Sequence, residues 1–433
     1  MITASFQPAS SHAEPSQDLQ VGQALALLDN LLQPLGPVPE TELLALAQAL
    51  DRVLADSVTS PVDVPPHDNA AMDGYAFDGG LLRAAEPLLL RVAGQAMAGS
   101  PWQGTLQAGE CIKIMTGAVL PPGLDTVVPH ERTEAVDRQH VRIAAGQVRR
   151  GDNRRMRGED LRSGEPALQA GQRLQPAALG LLASLGMTQV LVRRPVRVAY
   201  FSTGDEILAP GAAPREGAIY DSNRFSLIGL LRRMGAQVLD LGMVADTPQA
   251  LEERLREAAA LADVVLTSGG ISTGEADHTR AVLQSMGLVQ FWRLAMRPGR
   301  PLAVGLLQAT SAQAARPALL IGLPGNPVAA MVSFLIFVRP ALLHLMGCAP
   351  AAQALPEAVA AEPLAKRPGR TEYQRGILSV AADGRATVRS TGPQGSGVLR
   401  SMVEANCLIV LEHGRASVQP GERVSVLPLD LPL

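Results

Sequence analysis

From Arg197 to Met346 the chain repeats one pattern: a short β-branched apolar run, a small polar turn, then an amphipathic stretch with helical spacing. Val196–Phe201 reads as a buried strand that stops in Ser202-Thr203-Gly204-Asp205-Glu206. Ser222–Met234 reads as a helix with Leu227, Leu230 and Leu231 inward and Gly235 as its stop. Gln237–Leu241 is the next expected strand. Thr247 is the expected N-cap and Pro248 the first residue of a helix with Leu251, Leu255 and Ala259 as its buried stripe and Glu252 opposite Arg256. Asp263–Leu266 runs into Thr267-Ser268-Gly269-Gly270, then Ser272-Thr273-Gly274, Glu275, Asp277 and His278, with a helix expected over Arg280–Met286. Leu288–Trp292 and Leu319–Ile321 are further strands. The second leads through Pro324-Gly325-Asn326-Pro327 into a long apolar helix, Val328–Met346, kinked at Pro340. Such alternation builds an open, mostly parallel sheet. Its strand ends share one side, so the turns at Glu206, Asp246, Asp277 and Gly325 should converge there. Glycines such as Gly269 and Gly270 let bare backbone N–H groups approach a ligand, although any one of these turns alone also reads as an ordinary connection.

At 433 residues the chain exceeds one core, so two to four domains are expected. It is 47% apolar but only 3% aromatic, which leaves Ala, Leu and Val to fill the interior. A net charge of −3 gives no global field for nucleic acid, so any anion must be held by local charge. No apolar run reads as long and charge-free enough to cross a bilayer, and no secretory signal opens the chain. The expected location is cytoplasmic, with no membrane partner. Cys111, Cys348 and Cys407 lack C-x-x-C spacing and read as small core residues in a reducing compartment. The seven histidines show no paired metal spacing, there is no G-K-[ST] for a Walker A loop, and no G-x-S-x-G elbow.

Elsewhere, Val21–Leu32 reads as a helix with Val21, Ala24, Leu25 and Leu28 on one face. Thr41–Leu54 reads as a second, with Leu43, Leu46, Ala47 and Leu50 as its stripe. HDNAAMDGYAFDGG is turn chemistry, in which Asp68, Asp73 and Asp78 can be plain turn formers; Asp73, beside Gly74 and Tyr75, is the most open to a further role. Leu88–Val92, Cys111–Ile114, Thr126–Val128 and His140–Ile143 suggest a small β domain, in which Thr116-Gly117 is either a ligand contact or a turn. Arg149, Arg150, Arg154, Arg155 and Arg157 then crowd around Gly151 and Gly158, ahead of Glu159 and Asp160. This is either a solvated face or a shaped loop for phosphate or carboxylate. Gln175–Leu185 reads as a helix. Arg293, Arg297 and Arg300 surround a Pro-Gly turn. After Pro350, strands at Ile377–Val380, Ala386–Val388 and Leu408–Leu411, with a hairpin turn at Asp383-Gly384, suggest a small all-β domain. Its notable loops are Tyr373-Gln374-Arg375-Gly376 and Ser390–Gly397. Glu206, with Asp205 beside it, can bind Mg²⁺, serve as acid or base, or cap a helix.

DNAAMDGYA, IMTGAVLP, RRMRGED, FSTGDE, IYDSNR, TSGGISTGEAD, FWRLAMRPGRP, GLPGNP, YQRG and TGPQGSG occur in this order from about Val21 to the end. In these stretches the chain resembles the molybdopterin molybdenumtransferases, the molybdenum insertase family that includes the C-terminal domain of gephyrin. Residues 1–17, small, polar and Pro-containing, read as a disordered tail. The resemblance implies a multidomain α/β and β protein: a split helical linker domain at 18–60 and 146–192, and an inserted β domain at 61–145. It further implies an open, mostly parallel α/β pterin-binding domain at 193–347 and a C-terminal β barrel-like domain at 348–433. It implies a homodimer, and a reaction in which molybdate is inserted into adenylylated molybdopterin with release of AMP, Mg²⁺ assisting, the pterin being supplied by an adenylyltransferase. By motif match it carries over Asp73, Thr116, Arg155, Asp160, Glu206, Asp246, Asp277, Arg293, Arg297, Pro324, Pro327, Arg375 and Ser396. Asp73, Thr116, Asp160, Glu206, Asp246 and Asp277 are expected to be catalytic, with Glu206, Asp246 and Asp277 as the metal carboxylates. Arg155, Thr203, Gly204, Ser268, Gly269, Gly270, Arg293, Arg297, Pro324, Gly325, Pro327, Arg375 and Ser396 are expected to bind substrate. The family commonly has lysines where this chain has Arg293, Arg297 and Arg300, so a forked guanidinium replaces a compact ammonium. Two rival readings stand: an adenylyltransferase of the same α/β fold, and a non-catalytic scaffold.

Overall fold

The computed structural model describes residues 18–269, 285–308, 316–349 and 354–429. It separates into two units, Met1–Glu42 with Arg193–Leu433, and Leu43–Val192.

The first unit is organised by a six-stranded sheet in the order Gln237–Val244, Arg197–Thr203, Val264–Ser268, Ala318–Leu323, Pro301–Leu307, Gly287–Arg293. The first four strands run parallel; Pro301–Leu307 is antiparallel to both its neighbours. Every residue of Val264–Ser268 and Ala318–Leu323 is buried, as expected of strands covered on both faces. Ala199, Phe201, Val265 and Leu320 share a cluster with Leu251, Leu255, Ala258 and Ala259 of the Pro248–Leu261 helix. Alternate residues, Val198, Tyr200, Val264 and Leu266, point to the other face. Thr247 caps that helix from its side chain, with Pro248 at its start, and Glu252 pairs with Arg256. Pro301–Leu307 is a strand the sequence reading passed over, because the Pro-Gly turn before it masked its apolar run.

The long apolar helix comprises Pro327–Ser333, a π turn over Phe334–Val338, and Arg339–Leu345. The irregularity falls just before Pro340, whose missing N–H cannot continue the α ladder. By length and composition Pro327–Leu345 is apolar enough to cross a membrane, contrary to the sequence reading, yet most of it is buried within the unit as a core helix. Val21–Leu32 packs beside Arg339–Leu345 through buried Val21, Ala24, Leu28 and Leu32.

The C-terminal part closes into a barrel of Thr371–Val380, Ala386–Ser390, Glu357–Ala360, Arg423–Pro428 and Cys407–Leu411, the last strand pairing back onto the first. YQRG is therefore barrel strand, not loop. Gly376 is required there because a Cβ would meet Ile409 Cγ1 at 2.7 Å.

The Leu43–Val192 unit holds a six-stranded sheet: Thr126–Pro129, Gly74–Phe77, Glu110–Ile114, Leu88–Ala96, His140–Ile143, Thr133–Ala135. Gly74–Phe77 is a correction to the turn reading. Its Gly and Asp neighbours look like loop, but the strand is set by pairing with Val127–Pro129 and Ile112–Ile114, where a side chain at Gly74 would overlap the Val128 carbonyl. Asp78 is a turn former as read, accepting from Gly80 N at 2.8 Å. The expected helix over Thr41–Leu54 does not form: Thr41–Ala45 is a strand and Leu46–Gln48 a 3₁₀ turn. Leu46 N bonds Thr188 O at 3.1 Å, a tertiary pairing that periodicity cannot register, and Leu43 and Leu50 are left exposed. Pro176–Ser184 is helical as expected, packing Ala178 and Leu182 with Ala49, Leu54 and Val192. Cys111 and Cys407 are buried thiols; Cys348 is half-buried.

Candidate functional site

In the first unit the ends of neighbouring parallel strands gather a compact polar cluster. Ser202 lies beside Ser268 in register, and Ser268 beside Leu323. Gly269, one residue beyond its strand, has φ +90° and donates its N–H to Leu323 O at 3.2 Å. A Cβ there would overlap the Thr203 carbonyl oxygen, so only glycine allows these two backbones to meet. A Cβ on Gly325 would sit 3.8 Å from the Gly269 Cα. Asn223 Nδ2 spans the cluster, donating to Ser268 Oγ at 3.1 Å and to Gly325 O at 2.7 Å. Beneath it the Tyr200 hydroxyl lies 2.9 Å from Ser202 Oγ, and burial pushes the phenol up to about 12.

Thr203, Ser268 and Pro324 are buried here, and Pro327 opens the following helix. That helix has no side-chain cap; instead Val328 N donates to Ser396 O at 3.1 Å, so the barrel loop occupies its first free donor. Gly204 has φ +141°, and the Glu206 carboxylate folds over it, Oε1 lying 2.9 Å from where a Cβ would stand. Glu206 and Asp246 are both exposed and follow adjacent strands paired through Thr203 and Val244. Gly270 and Asp277 lie outside the described residues.

The expected anion-binding arginines differ sharply in setting. Arg293 Nε is 3.3 Å from the Asp18 carboxylate, which also accepts from Arg300 at 2.9 and 3.1 Å. The Arg300 hydrogen bond, with the charges of Arg300, Arg293 and Arg370, holds the Asp18 carboxyl below its ordinary range. Arg297 is exposed and 3.9 Å from Glu372. Arg375 is 1% exposed and has no carboxylate partner among the described residues. Its Nε donates to Ser401 Oγ at 2.9 Å and its Nη2 to Gly395 O at 3.0 Å and Pro393 O at 3.4 Å. Burial, reinforced by the charge of Arg297, pushes this guanidinium down to about 10. Arg375 thus holds the Ser396 loop by its carbonyls.

In the Leu43–Val192 unit, Asp73 and Thr116 come together: Asp73 Oδ1 accepts from both the Thr116 N–H and its hydroxyl, each at 2.7 Å. The backbone donor first, then the hydroxyl, lower the Asp73 carboxyl. In the arginine loop, Arg154 pairs with Asp68 and Arg157 with Asp63, while Arg150 Nε reaches Asp125 at 2.6 Å. Arg155 stands between these pinned residues, exposed, on a short strand whose partner is Asn69, and its side chain makes no ion pair among the described residues. Asp160 is exposed; its backbone N–H bonds Val64 O at 3.0 Å.

Reading the residues one by one missed Asp18, Asp221 and Asn223. Asp221-Ser222-Asn223 ahead of an amphipathic helix is an N-cap signal, and Asp221 indeed accepts from Arg224 N at 3.1 Å. Nothing local marked Asp18, whose partners lie 275 and 282 residues on.

Three family descriptions match successive stretches: "MoeA N-terminal region (domain I and II)" over residues 19–186, "Probable molybdopterin binding domain" over 199–344, and "MoeA C-terminal region (domain IV)" over 357–429. A molybdopterin molybdenumtransferase of Haemophilus influenzae is 39% identical over 396 residues, 91% of this chain and 95% of its own length. One from a Nostoc species is 34% identical over 410 residues, 94% and 92% of the two chains. The crystal structure of the molybdopterin biosynthesis moeA protein of Pyrococcus horikoshii superposes with a TM-score of 0.78 at 26% identity, covering 95% of this chain and 100% of that one. Since the inserted sheet, the strand-end cluster and the barrel each fall within a matched stretch, and full-length relatives exceed 30% identity, the chain belongs to the molybdopterin molybdenumtransferase family.

Proposed function

We propose that this chain transfers molybdenum from molybdate to the dithiolene of adenylylated molybdopterin and releases AMP, the last step in building the cofactor. The observation that carries the reading is the cluster of Thr203, Ser268, Gly269, Gly325 and Asn223 at the carboxyl ends of parallel strands, where such sheets take their ligands. The glycine turns bring backbone close to a bound phosphate or pterin. Arg297, exposed and electrostatically coupled to buried Arg375, suits an oxyanion, and so does Arg155, whose neighbours are pinned by aspartates. Arg293 serves an anion only in competition with Asp18. Pro324, Pro327 and Ser396 shape the same turn, while Asp73, Thr116 and Asp160 are assigned catalytic support.

Mg²⁺ fits the hard oxygen donors of Glu206 and Asp246, with Asp277 as a third candidate. Mg²⁺ takes one or two carboxylates and fills its shell from phosphate and water. Bound there, it would offset negative charge on the phosphoanhydride. The chain's own part is to orient the anhydride against the glycine turns and to hold the oxyanion beside it.

The functional layout is proposed as a linker at 18–60 and 146–192, an inserted domain at 61–145, a pterin domain at 193–347 and a barrel at 348–433, acting as a cytoplasmic homodimer. Exposed Ile219, Tyr220 and Phe225 supply apolar surface suited to a second copy. An adenylyltransferase supplies the substrate.

The test is incubation with adenylylated molybdopterin, molybdate and Mg²⁺. Molybdenum incorporation and stoichiometric AMP are expected, and Glu206→Ala or Asp246→Ala should cut both at least a hundredfold with the fold intact by circular dichroism. Pyrophosphate release from ATP and molybdopterin would instead identify an adenylyltransferase, and normal rates in both variants would remove the carboxylates from the mechanism.

A further inference from the structure

The start of the Ser222–Arg233 helix carries buried polar atoms that have no hydrogen-bond partner among the described residues. Asp221, 4% exposed, accepts from Arg224 N at Oδ1, but its Oδ2 is buried without a partner among the described residues. Asn223 commits its Nδ2 to Ser268 and Gly325, and its Oδ1 is likewise buried and alone. The third such atom is Thr203 Oγ1, on the residue whose carbonyl packs against Gly269, the neighbour of Ser268. A buried polar atom left unpaired is costly, most of all on a carboxylate, so three on neighbouring segments require an explanation. The adjacent cation does not provide it: the Arg224 guanidinium is held by Asp240 at 3.0 and 2.8 Å.

Chemically the three atoms are two acceptors and a hydroxyl. Phosphate brings only acceptors, which a carboxylate oxygen repels, and adenine sets a single amino donor beside a ring acceptor. The aminopyrimidinone edge of a pterin sets an amino group, a ring N–H and a carbonyl oxygen in a row, the complement of two acceptors and a donor. We propose that Asp221 Oδ2 and Asn223 Oδ1 read the two donors of that edge and that the Thr203 hydroxyl meets its carbonyl, which makes this helix start the specificity determinant for the pterin ring. This rests on the pterin reading above and deepens it by naming the edge and its readers. None of the three atoms contacts solvent in the free chain, so binding is coupled to a local opening and is slower than collision.

Asp221→Asn separates this from a capping role, because asparagine caps a helix as well as aspartate does but offers no charge. Three affinities are measured on wild type and variant: for molybdopterin by pterin fluorescence, for AMP, and for pterin-6-carboxylate against lumazine-6-carboxylate, which carries a second carbonyl in place of the amino group. Wild type should prefer the pterin to the lumazine at least tenfold. Asp221→Asn should lose most of that preference and bind molybdopterin at least tenfold more weakly, with AMP affinity unchanged and the thermal midpoint no lower. A wild type that does not distinguish the two analogues, or a variant that keeps the full preference, overturns the assignment, as does an equal loss of AMP affinity and stability. A wild type that binds AMP but not molybdopterin would sink the function proposed above as well.

Discussion

The strand edge around Gly269 and the barrel loop around Ser396 meet at Val328, yet they are held by different means. At the strand edge, close packing of glycine backbone and one neutral amide, Asn223, set the geometry, and no charged side chain takes part in the ties. At the barrel loop a buried cation, Arg375, gathers two carbonyls and a hydroxyl. The first arrangement depends on the absence of side chains at its closest approach. The second keeps a positive charge behind the loop at neutral pH, and depends on one long side chain. The comparison teaches that shape and charge at this surface are supplied by different parts of the unit and can be broken separately.

The largest effect is expected at Gly269. Alanine there combines a left-handed φ of +90° with overlap on a strand carbonyl, which cannot move without moving the sheet. Gly269→Ala should cost about 2–4 kcal/mol, and AMP release should fall at least a hundredfold. Gly325→Ala is the control: its φ is not in the left-handed region and its nearest neighbour is 3.8 Å away, so it should fold with near-normal stability. Equal thermal midpoints for the two variants would show that backbone contact does not set this edge.

Arg375 comes next. Arg375→Met strands the Pro393 and Gly395 carbonyls and the Ser401 hydroxyl, an expected loss of about 1–3 kcal/mol, with faster proteolysis confined to residues 390–397. Its pH dependence has a definite sign. The folded guanidinium sits near 10, below its ordinary range, so above that pH the unfolded chain binds more protons and wild type gains stability as pH rises. Tyr200 and Tyr373, both pushed up to about 12 by burial, act in the opposite direction, but equally in both proteins. The stability difference between wild type and Arg375→Met, followed by urea unfolding above pH 10, should therefore widen in favour of wild type. A flat difference would mean that the cation is not desolvated.

The two regions were also unequally legible from sequence. Strand, glycine turn and capped helix are local signals, so the Arg197–Thr203 strand, the Thr247 cap and the Pro324–Pro327 turn could be read directly. Arg375 reads locally as a loop arginine because the groups that hold it are 18 to 26 positions away in sequence. Gly74–Phe77 was hidden the same way: its composition says turn, and only pairing with two distant strands makes it sheet. Asn223 lay inside a stretch that matched the family, but its amide acquires a role only when Ser268 and Gly325 are brought beside it.

The smallest effect is expected in the other unit, where Asp73 and Thr116 form an exposed, charge-bearing pair. Both Thr116 donors favour the carboxylate, so the Asp73 carboxyl should titrate below the ordinary aspartate range. Whatever stability this adds is present above that range and fades as pH falls through the lowered midpoint. Thr116→Val removes the hydroxyl but leaves the backbone donor, which is the larger of the two contributions. The midpoint, followed by carboxyl carbon resonance, should therefore rise part of the way and no further, while the thermal midpoint at neutral pH barely moves. Full return to the ordinary value would mean that the backbone bond does not persist in solution. No rise would mean that the hydroxyl turns elsewhere. Either result would leave the Leu43–Val192 unit without a pre-formed Asp73 carboxylate.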